Sequence, residues 1–135
     1  MNQTKLLEIE ILAFGYKYGP APMANFLLDV RYLKNPHYVP DLRPLTGLDE
    51  PVQQFIVANN PGARELLEQQ VEMALAGYLE YGNDHEKLTF AFGCTGGKHR
   101  SRFCAVTCEA VVKRFVAARG LECKCSLVFL DEGKE

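Results

Sequence analysis

An apolar run, Leu88-Thr89-Phe90-Ala91-Phe92, leads directly into Gly93-Cys94-Thr95-Gly96-Gly97-Lys98-His99-Arg100-Ser101, and a long amphipathic stretch follows. That order reads as strand, glycine-rich loop, helix. It constrains the fold strongly, because a strand feeding a helix in this way returns to a parallel partner through a crossover. The turn also has a chemical consequence. It aims several backbone N–H groups and the positive end of a helix at one point, which suits a phosphate or another anion. Lys98, His99 and Arg100 add donors in the same place. A purely structural glycine turn has no use for adjacent basic residues that repel one another.

Three chemistries use loops of this kind. A Walker A phosphate loop needs a glycine five residues before the glycine of its final Gly-Lys, with four residues between, and a Ser or Thr after it. Here Phe92 and His99 stand at those positions, so that pattern fails twice. A cysteine phosphatase loop fits better: Cys94, five intervening residues and Arg100, with Gly97 and Ser101 in place. Its chemistry needs a thiolate at Cys94, Arg100 on the phosphoryl oxygens, and a general acid such as Asp29 or His37. The third is a binding loop that applies the same physics without turnover.

The chain has 135 residues, 47% of them hydrophobic and 24% charged, which is enough for one globular domain with a real core. A net charge of −2 argues against a dedicated nucleic-acid surface. No apolar run is long enough for a membrane span, and Met1-Asn2-Gln3-Thr4-Lys5 lacks the features of a signal peptide. The five cysteines, an odd number, are read as reduced thiols in the cytoplasm.

Alternation at Leu7, Ile9, Ile11 and Ala13 predicts a first strand with one wetter face, at Glu8, Glu10 and Leu12. Phe14 to Pro20, with its glycines and proline, breaks it. Phe26 to Val30 is a short second strand. The segment from Arg31 to Leu48 is a long polar loop, of a kind that often carries function. Asp49 is placed to cap a helix over roughly 51–58. Asn60-Pro61 opens a longer helix with Leu66, Leu67, Val71, Ala74, Leu75, Tyr78 and Leu79 on one side, ended at Tyr81-Gly82-Asn83-Asp84. After the glycine loop, a helix runs to about Ala118 with Cys104, Cys108, Val111, Val112 and Phe115 as its stripe. Cys123 to Leu130 is the last strand. The order β-β-α-α-β-α-β predicts a small layered α/β domain with a central mixed sheet. Ligands of such sheets sit beyond the carboxyl ends of the strands. The glycine loop and the Asp29-Val30-Arg31 stretch are therefore expected to share a pocket.

Several side chains carry two readings. Asp29 closes an apolar strand, where a carboxylate is costly unless paired. It either forms a salt bridge to Arg31 or Arg43, or accepts hydrogen bonds from a ligand hydroxyl or amine. His37 lies among other polar candidates, and Lys17 is a solvated or pocket lysine. Asp84, His85 and Glu86 are assigned nothing. Cys104 with Cys108, and Cys123 with Cys125, could meet around zinc, but their positions inside regular elements favour core packing. No metal and no cofactor are expected.

Four ordered motifs then carry a resemblance: Phe14 to Gly19, Asp29 to His37, Leu42 to Asp49, and Gly93 to Ser101. Together they resemble the C-terminal domain of the RapZ/YvcJ family of RNase adapter proteins, also described as nucleotide-binding proteins. The resemblance implies a phosphofructokinase-subdomain-like fold and binding of a phosphorylated amino sugar, glucosamine-6-phosphate. It also implies a contribution to small-RNA binding and self-association. The implied ligand residues are Cys94, Thr95, Gly96, Gly97, Lys98, His99, Arg100 and Ser101, with Asp29, Arg31, Asn35 and His37. That family's N-terminal Walker A domain is not in this sequence, so nucleotide hydrolysis is not carried over. The chain ends Asp131-Glu132-Gly133-Lys134-Glu135 rather than in a basic tail, which lowers the expectation of RNA binding. The expected function is sensing of a small phosphorylated metabolite, with a Cys94-dependent phosphatase and an RNA-binding adapter as alternatives.

Overall fold

The computed structural model describes residues 6–82 and 87–134. Of the helix-ending turn expected at Tyr81-Gly82-Asn83-Asp84, Tyr81 is the last helical residue and Gly82 the C-cap, while Asn83, Asp84 and the unassigned His85 and Glu86 lie outside the described residues. Four strands, β1 (Leu6–Gly15), β2 (Phe26–Asp29), β3 (Lys87–Cys94) and β4 (Glu122–Phe129), form one sheet in the order β2-β3-β1-β4. Three α-helices accompany it: α1 (Glu50–Asn59), α2 (Ala63–Tyr81) and α3 (Arg100–Ala118). The layered α/β architecture and the element order are those expected.

The sheet itself corrects one expectation. All three strand pairs are parallel, so the sheet is not mixed. The reason lies in the connections. No paired strands are joined by a short turn, and every link between them is a crossover. Residues 16–25 carry the chain from β1 past β3 to β2, α1 and α2 separate β2 from β3, and α3 separates β3 from β4.

The core fills the space between the sheet and the helices. Ile9 and Ile11 of β1, Phe90 and Phe92 of β3, and Val71 and Leu75 of α2 are fully buried there. Each such side chain contributes roughly 1.5–3 kcal/mol of burial. The predicted stripe of α3 (Cys104, Cys108, Val111, Val112, Phe115) is buried in the same cluster. Cys123 and Cys125 pack at its margin on the edge strand. Among the described residues, no group of three or more His, Cys, Asp or Glu side chains could hold a metal ion. None of the described helices is long and apolar enough to cross a membrane.

Two side-chain expectations change. Leu66 faces solvent at 51% exposure, because α2 meets the core through Leu67, Val71 and Leu75. Leu12 is buried rather than wet. Together with Phe14 and Ala91 it forms a small second cluster on the opposite face of the sheet, covered by Tyr16, Ala21 and Ala24. The 16–25 connection thus crosses on the side away from α3. Asp49 does occupy the N-cap position of α1, but its carboxylate accepts from the Thr46 N–H at 2.8 Å instead of from the helix.

Parallel register brings the carboxyl ends of the inner strands together. Gly15 pairs with Cys94, and Asp29 with Gly93. The loops that leave these strands therefore converge on one corner of the molecule.

Candidate functional site

At that corner the chain after β3 turns through residues 95–99 into α3. The approach of backbone to backbone explains the glycines. Gly97 has φ +69°, and a Cβ there would lie 2.7 Å from Gly15 N. A Cβ on Gly15 would in turn lie 2.6 Å from Gly96 C. The loop is thereby seated directly on the end of β1. Lys17 N–H donates to the Thr95 carbonyl at 3.1 Å and adds a second attachment.

This seating leaves the amides of the loop unused. Among the described residues, no backbone N–H from Thr95 to Ser101 donates to a protein acceptor. His99 is the N-cap of α3 without a side-chain cap bond, and the first turn has no acidic residue. The positive end of the helix is uncompensated, as an anion site requires.

The basic side chains divide into two kinds. Arg100 is 5% exposed, and its NH1 donates to the carbonyls of Arg31 at 2.9 Å and Leu33 at 3.1 Å. Its Nε is buried without an acceptor among the described residues. His99 Nε2 lies 3.1 Å from the Leu42 carbonyl, so that nitrogen carries the proton and donates. Burial pushes the His99 pKa below the usual histidine range, partly offset by the Leu42 carbonyl. Neutral His99 and Arg100 thus anchor the long 30–49 loop against the glycine loop, and Gly47 N–H donates to the Lys98 carbonyl at 2.9 Å. Arg102, which the sequence did not single out, donates from Nε to the Gly97 carbonyl at 3.1 Å. Lys98 is different: its Nζ reaches across to the Arg43 carbonyl at 2.9 Å and remains partly exposed.

A pocket of about 320 Å³ opens over this turn. Cys94, Thr95, Gly96, Lys98, His99 and Arg100 line one side, and Asn35 and His37 line it from the 30–49 loop. Asn35 caps the 3-10 turn Pro36–Tyr38 by accepting from His37 N–H at 3.0 Å, which fixes the His37 backbone. Gly97 and Ser101 sit behind the wall. Ser101 is fully buried, and the Cys94 thiol donates to its Oγ at 3.3 Å. Asp29 and Arg31 are not among the lining residues. They pair with each other at 2.6 Å, and the Arg31 guanidinium lies 4.0 Å from the Tyr16 ring centroid. Arg31 holds the Asp29 carboxyl below its ordinary range. The salt-bridge reading of Asp29 is the one the geometry contains, with Arg31 as the partner.

The pocket also takes in residues whose role the sequence leaves open. Lys17 lines it, as do Tyr38 and Arg43. Arg43 Nε donates to the His37 carbonyl at 2.8 Å, which holds the guanidinium at the rim. The adjacency of Tyr38 to His37 was the only available signal for Tyr38.

Asp131 also changes meaning. In the sequence it is part of an acidic end; in the fold it is buried, and its Oδ2 accepts from Gly15 N–H at 2.6 Å. It therefore holds the strand end on which the loop rests. Asp131→Ala is expected to cost roughly 1.5–3 kcal/mol, the range for a hydrogen bond to a charged group. Urea denaturation checks this, and a loss under about 0.5 kcal/mol would place the residue with ordinary surface positions.

The chain is similar to known proteins. A family model described as the RapZ C-terminal domain matches residues 7–125. A nucleotide-binding protein of Streptomyces avermitilis is 42% identical over 132 residues, 96% of this chain and 41% of that protein. One from Bifidobacterium adolescentis is 43% identical over 129 residues, 93% of this chain and 39% of that protein. A nucleotide-binding protein in the ptsN-ptsO intergenic region of Shewanella violacea is 48% identical over 117 residues, 85% of this chain and 40% of that protein. The chain thus spans about two-fifths of the length of these curated relatives. With the family model covering nearly all of the sheet and its crossovers, the chain belongs to the RapZ C-terminal domain family.

Proposed function

We propose that this domain binds a small phosphorylated metabolite, such as a sugar or amino-sugar phosphate, without turning it over. The observation that carries the reading is the run of unused amides from Thr95 to Ser101 beneath a pocket that Arg100 helps to line. A phosphoryl group supplies the acceptors these donors lack. Lys98, a residue of the loop itself, is a partly exposed cation that lines the pocket. Asn35 and His37 face the remainder of the ligand. The relatives are named for nucleotides, and a nucleotide phosphate offers the same oxygens to the loop. Inorganic phosphate, a hexose 6-phosphate and a nucleoside monophosphate, titrated calorimetrically, separate these cases. A domain that bound none of them would not have this function.

The phosphatase pattern makes an opposite claim about Cys94. Its sulfur belongs to a residue only 2% exposed, and Arg100 spends its NH1 on two backbone carbonyls. Those contacts favour a structural thiol. Cys94→Ser is therefore expected to leave hexose 6-phosphate affinity within about tenfold, or 1.4 kcal/mol. Hydrolysis of p-nitrophenyl phosphate should be at background in both forms. Hydrolysis by the wild type that disappears in Cys94→Ser would replace the binding reading with the enzyme.

RNA binding is expected to be weak and nonspecific, given the net charge of −2. A gel-shift titration at physiological salt that gave tight, sequence-selective binding would overturn this.

A further inference from the structure

The glycine loop rests on a segment that does not line the pocket. β4 runs beside β1 as far as the bond from Leu130 N–H to the Ala13 carbonyl, at 3.0 Å. The next bond of a regular parallel ladder would run from Gly15 N–H to the Leu130 carbonyl. Instead the chain turns at residues 130–133, and the Asp131 carboxylate takes that N–H at 2.6 Å. Its other oxygen accepts from Lys134 Nζ at 3.1 Å, and the Lys134 carbonyl accepts from the Tyr18 hydroxyl at 3.0 Å. The segment 130–134 is thus fastened to the end of β1 and to the 3-10 turn Tyr16–Tyr18.

Both attachments lead on to the glycine loop. The Gly15 nitrogen that Asp131 holds is the atom a Gly97 Cβ would meet at 2.7 Å. One peptide nitrogen therefore joins the buried carboxylate to the seat of the loop. Lys17, next to Tyr18, holds the Thr95 carbonyl through its N–H. No residue of 130–134 lines the pocket. Charge alone argues against an acid in this place, because it repels the anion that the loop attracts. The Leu130 carbonyl would have satisfied Gly15 N–H without that repulsion.

We propose that Asp131 is a positioning residue for the anion site: through Gly15 it fixes where the amides from Thr95 to Ser101 stand, so that phosphate affinity depends on a segment no ligand touches. This rests on the phosphate-binding reading above. It adds a coupling, since whatever displaces 130–134 weakens the site, and an anion on the loop in turn tightens 130–134.

Inorganic phosphate reads the loop by itself, titrated calorimetrically at fixed ionic strength with circular dichroism to verify each fold. Asp131→Ala should bind it about tenfold more weakly than the wild type. Asp131→Asn keeps an oxygen for Gly15 N–H while losing the charge, so it should stay within about threefold. A purely electrostatic role predicts the opposite sign, with both variants binding phosphate more tightly. That result, or equal affinity in Asp131→Ala and the wild type, would overturn the coupling and leave the phosphate site standing. Hydrogen exchange tests the wild type without any substitution. Saturating phosphate should slow exchange of the Gly15, Glu132 and Lys134 amides about fivefold, and that of Leu66 in the first turn of α2 by less. Unchanged exchange at Gly15 would overturn the proposal even if Asp131→Ala did not fold. A wild-type protein that failed to bind phosphate would remove the anion site and this inference together.

Discussion

Arg100→Ala is expected to lose both stability and ligand affinity. The stability loss follows from the carbonyls of Arg31 and Leu33, which share its NH1 at 2.9 and 3.1 Å. Hydrogen bonds to a charged group contribute roughly 1.5–3 kcal/mol each, and truncation leaves buried acceptors without a donor. A total near 2–4 kcal/mol is the expected cost, since bonds that share one nitrogen do not add fully. Differential scanning calorimetry should then show a fall of roughly 6–15 °C. The affinity loss has a separate origin. Arg100 lines the pocket, so its positive charge lies beside the place where the loop amides would hold a phosphoryl group. Removing it should weaken hexose 6-phosphate binding by roughly 1.5–3 kcal/mol, about 10- to 150-fold. Arg100→Lys separates the effects, because it keeps charge without the planar fork. It should recover part of the affinity and little of the stability. An Arg100→Ala protein that folds and binds normally would remove this arginine from the site.

The sequence made the regular elements legible where a period existed. The stripe of α3 could be read from Cys104 to Phe115 because every turn returns an apolar residue to the same face. The glycine loop was legible for a related reason: a strand pattern stops and a helix pattern starts on either side of it. What periodicity could not show was which segment covers which face. Leu12 reads as the wet side of an alternating strand until the 16–25 connection is seen to lie over it. Parallel pairing throughout was likewise hidden, because strand order depends on how 16–25 and α3 pass on opposite sides of the sheet.

The irregular 30–49 segment has no period, so its residues could only be weighed by type. Asn35 and His37 reach the pocket; Asp29 and Arg31 satisfy each other beside it. Tyr38 and Arg43 reach it too, by way of a 3-10 turn and a side-chain bond to a carbonyl that no local pattern encodes. By residue type alone, His99 and Arg100 read as ligand groups. In the fold they are first of all clamps, holding the pocket's second wall to its first. A residue that positions a wall and lines it draws the same residue type from the sequence for two reasons, and only the hydrogen-bond partners separate them.

Gly97→Ala should be among the most damaging single substitutions in this chain, and the structure supplies its own control. At φ +69° an alanine pays for the left-handed backbone, about 1–2 kcal/mol. Its Cβ would also sit 2.7 Å from Gly15 N and 2.8 Å from Phe14 C. These are backbone atoms of the central strand, so no side-chain rotation relieves the contact. Forcing β1 and the loop apart adds roughly 1–3 kcal/mol of overpacking. The sum, about 2–5 kcal/mol, competes with the whole stability of an ordinary domain. Gly120 has a similar φ of +63°, but nothing lies within 4 Å of where its Cβ would be. Gly120→Ala should therefore show the backbone penalty alone. The difference between the two variants in urea denaturation then isolates the crowding at Gly15. The same displacement would re-aim the amides from Thr95 onward, so any Gly97→Ala protein that folds should bind a hexose 6-phosphate at least tenfold more weakly, while Gly120→Ala binds as the wild type does. Equal destabilisation in the two variants would mean that the loop does not rest on β1. The unused amides would then lack the rigid support on which anion binding depends.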